Sequence, residues 1–228
     1  MEIKFNNLVI LGGGTAGWLC AAVLAKRLQG SPVEVTLIES EEIGLIGVGE
    51  ATIPPIRAAL SFLGIEEEKF VAATSGSYKL GIEFVNWLRL GHSYLHPFGA
   101  YGIDWGGIPF HQHFLRYQKN GGTAEYQAFS LTASAAKAGK FSSTTRSEQL
   151  SRNWNYAFHF DSTLAAPFFR EYAERMGVER VEGRVDAANT DENGYITEAI
   201  LADGMRVAGE FFIDCSGFRS KLLGDTLG

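Results

Sequence analysis

The stretch "FNNLVILGGGTAGWLCAAVLAKRLQG", residues 5–30, decides the fold. A short apolar run stops at three glycines and gives way to an alanine- and leucine-rich stretch that closes at Gly30. The segment therefore reads as strand, tight turn and helix. Gly12, Gly14 and Gly17 have GxGxxG spacing. In that pattern the first glycine permits the turn, the second lets backbone approach a pyrophosphate, and the third lets helix pack on strand. The helix N-terminus, with Thr15 and Ala16, then faces the phosphates. A second strand, "VEVTLIES" (33–40), ends in Glu39. A carboxylate about 20 residues past the glycines accepts hydrogen bonds from an adenosine ribose, which suits FAD or NAD and disfavours a 2′-phosphate.

Composition narrows the classes further. The chain has 228 residues, 46% hydrophobic and 20% charged, enough apolar material for a true core. A formal charge of −6, with basic residues spread along the chain, gives no footprint for nucleic-acid phosphates. Cys20 and Cys215 lie far apart in sequence and lack disulfide or zinc spacing. The N-terminus lacks the basic-then-apolar layout of a secretion signal, and no apolar stretch approaches the roughly 20 residues that span a bilayer. These features predict a reduced, cytoplasmic setting and no membrane partner. The histidines of "HQH" (111–113) have no further ligands nearby in sequence, so no metal is expected.

The rest of the chain adds a second signature. Residues 181–217 carry Asn193-Gly194 and Asp203-Gly204 turns between strand-like segments, which predicts a three-stranded meander feeding the strand "EFFIDCSG". Residues 161–177 read as a packing helix capped at Asp161 or Ser162, with Leu164, Phe168 and Tyr172 on one face. Pro167 calls for a later start or a kink. Residues 136–152 are rich in Ser, Thr and basic residues and read as a mobile surface connection. "GVGEATIPPIRAAL" (47–60) reads as a loop into a helix.

A meander before a strand ending in Gly217 resembles the layout of FAD-dependent aromatic hydroxylases, although Ser216-Gly217 stands where those enzymes carry Asp-Gly. A more specific resemblance covers nearly the whole chain. "GGGTAGW" (12–18), "GVGEATIP" (47–54), "YKLGIEF" (78–84), "HPFG" (96–99), "FHFD" (158–161) and "FIDCSGFRS" (212–220) match, in order, patterns of the flavin-dependent tryptophan halogenases. The resemblance reaches about the first half of a typical member, and no WxWxIP motif occurs in this sequence. It implies an α/β fold: a Rossmann-like FAD-binding domain with a β-meander, related to aromatic-hydroxylase-type flavoproteins. That domain spans 1–228, is incomplete relative to the family, and has residues 80–155 on the substrate side.

The same resemblance assigns roles. Reduced FAD from a separate flavin reductase, oxygen and chloride or bromide would yield hypohalous acid, which a lysine at the motif position of Lys79 passes to tryptophan, indole or a similar electron-rich ring. His96 and Phe98 would line the small aromatic substrate. Gly12, Gly14, Thr15, Ala16, Gly17, Glu39, Gly49, Glu50, Ala51, Thr52, Val185, Asp214 and Gly217 are the expected cofactor contacts. A homodimer is an allowed assembly. Taken alone, Lys79 reads as a strand lysine with its head in water. An FAD-dependent aromatic monooxygenase and a non-catalytic FAD-binding fragment remain the alternatives, the latter because the family's glutamate near the lysine falls outside the matched half.

Overall fold

The computed structural model describes residues 5–44, 46–143 and 153–228. Its contacts divide into two compact units, one of Met1–Glu50, Ala59–Gly76 and Phe160–Gly228, the other of Ala51–Ala58 and Ser77–His159.

The first unit is built on a parallel sheet in the order β12 (Phe211–Asp214), β1 (Asn7–Leu11), β2 (Glu34–Glu39), β8 (Glu179–Glu182). The apolar run of β1 is buried from Leu8 to Leu11, as suits a parallel strand covered on both faces. Register aligns Leu11 with both Ile38 and Asp214. The turn after β1, Glu39 and the end of β12 therefore share the carboxyl edge of the sheet, where open α/β sheets bind ligands. Helix α1 (Thr15–Leu28) buries Gly17, Trp18, Ala21, Ala22 and Ala25 and carries Lys26 and Arg27 in its last turn, which complements its dipole.

Gly12 has φ +117, and a Cβ there would lie 2.3 Å from the Cys215 carbonyl oxygen; a Cβ on Gly17 would lie 1.8 Å from the Gly12 carbonyl oxygen. These two glycines are steric necessities of the turn. By contrast, a Cβ on Gly14 meets nothing within 4 Å, so the backbone there is open.

The expected meander forms, with β10 (Ile196–Leu201) between β9 (Val185–Thr190) and β11 (Arg206–Ala208). Its turns hold Gly194 and Gly204 at φ +84 and +87. Val185, Ala199 and Leu201 close a core with Val9, Leu11, Ile38 and Leu222. The fold is the Rossmann-like α/β class anticipated from the glycine turn.

Two local expectations need correction. The helix over 161–177 is α6 (Ser162–Arg175), which starts at Ser162 with the Asp161 carboxylate accepting from Thr163 N, and it passes through Pro167. Pro167 is exposed, so its missing N–H falls on the solvent side where the ladder interruption is cheapest. The buried stripe is Ala165, Ala166, Phe169 and Ala173, one residue off the expected face, and Leu164 is exposed. Of the connection read over 136–152, residues 144–152 lie outside the described residues. Residues 131–137 form α5 (Leu131–Lys137), capped by buried Ser130 accepting from Ala133 N, so the first two residues of that connection are helical. The remaining helices are α2 (Pro55–Leu63), begun at a proline, α3 (Glu67–Ala73) and α4 (Phe110–Lys119).

In the second unit a short antiparallel ladder joins β4 (Ser77–Lys79) to β7 (Ala157–Asp161), pairing Ser77 with His159, Tyr78 with Phe158 and Lys79 with Ala157. A hairpin of β5 (Gly81–Val85) and β6 (Ser93–Pro97) follows. Phe110, Phe114, Tyr126 and Phe129 pack edge and face around α4.

Replacing Gly17 by Ala is expected to destabilise the chain by about 1–3 kcal/mol through overpacking, whereas Gly14→Ala should stay within about 0.5 kcal/mol. Urea unfolding of the two variants side by side checks this contrast.

Candidate functional site

In the first unit, the carboxyl edge of the sheet gathers most of the expected cofactor contacts. Helix α1 begins at Gly14 with no side-chain cap. The first N–H groups of α1, at Thr15 and Ala16, therefore lack a capping acceptor from the Gly14 side chain position and present positive potential toward the turn. The Thr15 hydroxyl meets the Ser162 carbonyl at 3.5 Å, so the α1 and α6 N-termini converge. Ser162 also fixes the glycine segment before β3 (Gly49–Ala51): its Oγ accepts from Val48 N at 2.9 Å and donates to the Ile46 carbonyl at 3.0 Å. Gly49 and Glu50 follow directly from that anchored segment.

Glu39 sits against the turn, and a Cβ added at Gly13 would fall 1.7 Å from its Oε2. The carboxylate is already engaged. Trp18 Nε1 donates to Oε2 at 3.0 Å, while Arg180 Nε at 2.6 Å and Arg170 Nη1 at 3.2 Å donate to Oε1. Oε1 thus already accepts two hydrogen bonds, and a ribose hydroxyl would find the second lone pair of Oε2, shared with the Trp18 indole. Sequence reasoning missed Arg170 and Arg180, which come from α6 and β8 and have no local signal. Trp18 lies within the quoted glycine motif, which was the available clue.

The other expected contacts at this edge do structural work. The Asp214 carboxylate accepts from Ser216 N at 2.9 Å, Leu222 N at 2.8 Å and Leu223 N at 3.0 Å, shaping the chain after β12. Burial pushes its pKa up, but these bonds and the Ser216 hydroxyl prevail and hold it below the usual carboxylate value. Val185 gives its side chain to the core, leaving only backbone for a ligand. Gly217 is exposed at φ +65.

Cys20 and Cys215, distant in sequence, are close enough in space for their thiols to influence each other. The neighbouring Cys20 thiol lowers the Cys215 thiol to about 7, and Cys215 together with burial raises Cys20.

In the second unit, Lys79 is 8% exposed. The snorkelling expectation therefore fails. Its Nζ donates to the Thr52 carbonyl at 2.9 Å and lies 5.4 Å from the centroid of the Phe98 ring. Both contacts favour a cation in a desolvated place. Thr52 is itself pinned by Phe158: Thr52 N and Oγ1 donate to the Phe158 carbonyl at 3.0 and 2.8 Å, and Phe158 N donates to Thr52 Oγ1 at 3.1 Å. The Thr52 side chain is thus occupied by the fold, and its carbonyl by the lysine. Ala51 precedes it in the same pinned segment.

Phe98 is brought to Lys79 because Phe98 N donates to the Leu80 carbonyl at 2.9 Å. Gly81 makes that approach feasible, since a Cβ there would fall 2.5 Å from the His96 carbonyl oxygen. His96, paired with Ile82, is exposed. Of "HQH", the His113 ring nitrogen meets the Trp105 carbonyl at 3.2 Å and the His111 ring meets Gln112 at 2.9 Å. Among the described residues, no helix is long and apolar enough to cross a membrane.

Comparison with known proteins matches the tryptophan halogenase family model over residues 7–228. Among curated relatives, the tryptophan 6-halogenase ThaL of Streptomyces albogriseolus is 38% identical over 98% of this chain and 44% of its own length. The tryptophan 7-halogenase RebH of Lentzea aerocolonigenes is 35% identical, again over 98% of this chain and 44% of its own length. The solved structure of BrvH, a flavin-dependent halogenase from Brevundimonas sp. BAL3, superposes with a TM-score of 0.87 at 38% identity, covering 98% of this chain and 45% of BrvH. The chain spans less than half the length of these relatives.

Two outcomes test the site's electrostatics. Glu39→Gln, which keeps shape and removes the charge that receives both guanidinium groups, should cost about 1–3 kcal/mol in urea unfolding. Because the Cys215 thiol is lowered, it should be alkylated ahead of Cys20 at pH 7–8, with its rate falling as pH drops below about 7. Peptide mass spectrometry after brief iodoacetamide exposure reads the order.

Proposed function

As the chain belongs to the tryptophan halogenase family, we propose that it supplies the FAD site and the reactive lysine of a flavin-dependent halogenase acting on tryptophan, indole or a similar electron-rich ring. The observation that carries this reading is Lys79: it stands at the family's motif position and its amine is buried, tethered to a carbonyl and set over an aromatic ring.

The residues present fit FAD. The uncapped α1 N-terminus beside the open backbone at Gly14 offers N–H donors for a pyrophosphate, Glu39 offers a shared acceptor for a ribose, and Gly49 and Glu50 follow a hydrogen-bonded glycine segment. When bound and reduced, FAD supplies, with oxygen, the oxidising equivalents that convert chloride or bromide to hypohalous acid. A separate flavin reductase is the proposed source of reduced FAD.

What Lys79 does then follows from its chemistry. As an ammonium it donates a hydrogen bond to the oxygen of hypohalous acid and polarises the oxygen–halogen bond. A ring carbon attacks the halogen, the carbon–halogen bond forms, and the oxygen leaves as water with a proton from the amine. The ring carbon then gives up its own proton to a base. Phe98 supports the arrangement by holding the cation and offering a flat apolar wall, and His96 is the second wall residue. The tether to Thr52 limits where the amine can reach, which is what positioning requires.

A non-catalytic FAD-binding fragment is the alternative reading. One experiment separates the readings. The purified chain is given FAD, a flavin reductase, bromide and tryptophan or indole, and products are read by mass spectrometry. Brominated product that disappears in Lys79→Ala, with FAD binding retained, is the expected result. Brominated product undiminished in Lys79→Ala would overturn the role of the lysine. Oxygenated product in place of brominated product would favour the monooxygenase, and retained FAD without product would favour the fragment.

A further inference from the structure

The motif "FHFD" contributes more than a strand. His159 pairs with Ser77 across the β4–β7 ladder, and Lys79 pairs with Ala157. Directly opposed residues of an antiparallel pair share a face, as do residues two apart on one strand. Lys79, Ala157, Ser77 and His159 therefore occupy one face, with the lysine and histidine on its diagonal. The residues completing the square, alanine and serine, are small. Tyr78 and Phe158 take the opposite face, with ring centroids 5.8 Å apart.

We propose that His159 is an acid-sensitive element of the lysine site, an imidazole across the ladder whose protonation adds a second positive charge to the face that carries Lys79. This rests on reading Lys79 as the reactive amine.

Other charged groups stand near the ladder. Arg57 stacks 3.8 Å from the centroid of Tyr156, whose ring packs edge-on to Tyr78 and Phe158 on the opposite face. On β7 itself, Asp161 directs its carboxylate to Thr163 N and Oγ1 at 2.8 and 2.6 Å. Glu50 is the acidic residue of β3. Lys79 is the cation carried by the strand that pairs with His159. Partial covering of the ring, followed by the positive charge of Lys79, lowers the His159 pKa below the usual histidine value.

The sign follows directly. A base with a lowered pKa is neutral at pH 7 and takes up its proton only in more acid solution. There the imidazolium and the ammonium repel across the ladder.

The test is the titration of the His159 Cε1–H resonance by NMR in the full chain, assigned with His159→Gln. The midpoint should lie below about 6.5 in the wild type and rise by about half a pH unit or more in Lys79→Gln. Lys79→Met serves as a second variant should the first unfold, and Arg57→Gln, on the opposite face, should leave the midpoint in place. An identical midpoint in the wild type and in a folded lysine variant would overturn the proposal. The readout is independent of halogenation, so an unmoved midpoint removes His159 and leaves the role of Lys79 standing, whereas persistent halogenation in Lys79→Ala removes the latter whatever the titration shows.

Discussion

An ammonium taken out of water must find compensation or lose its charge, and the Thr52 carbonyl and the Phe98 ring contribute to that compensation for Lys79. Burying a cation costs several kcal/mol even after relaxation. The Thr52 carbonyl at 2.9 Å and the face of Phe98 at 5.4 Å offset part of that cost. Each is held in place by backbone: Thr52 by three hydrogen bonds with Phe158, and Phe98 by a bond to the Leu80 carbonyl. The lysine's position is thus a consequence of strand pairing, and Gly81 is the small residue that lets the chain return close enough to close the arrangement.

The first unit obeys a similar logic with the charges reversed. Glu39 ends β2 at the sheet's carboxyl edge, and two guanidinium groups and an indole N–H converge on it. With side-chain exposures of 13% for Glu39 and 18% for Arg180, the pair is only lightly screened. Removing one partner would leave the others with unmatched polar groups. The cluster ties α1, α6, β2 and β8 together beside the glycine turn. It holds the turn's shape independently of any ligand, and a bound nucleotide would join an existing polar network.

Sequence reading succeeded where the determinants are local. The glycine turn, the apolar β1, the Asn193-Gly194 and Asp203-Gly204 turns and the meander all follow from neighbours a few residues apart, because turn geometry and strand alternation are short-range properties. The partners of Glu39 were illegible because Arg170 and Arg180 stand 131 and 141 residues away. The burial of Lys79 was hidden for the same reason: alternation in β4 assigns it a face but not a cover, and its ladder partner is Ala157. In α6 the error was smaller. Apolar residues occupy two adjacent stripes of that helix, and what chose Ala165, Phe169 and Ala173 was the need for small side chains and a ring against α1 and Phe70.

The most direct measurement is the rate at which Lys79 Nζ reacts with acetic anhydride in the folded chain, followed by peptide mass spectrometry and normalised to the same lysine in urea. A buried amine tethered to Thr52 should react far more slowly than the exposed Lys69 and Lys119. Acetylation of Lys79 as fast as theirs, in a chain that remains folded, would contradict the placement on which the proposed chemistry depends.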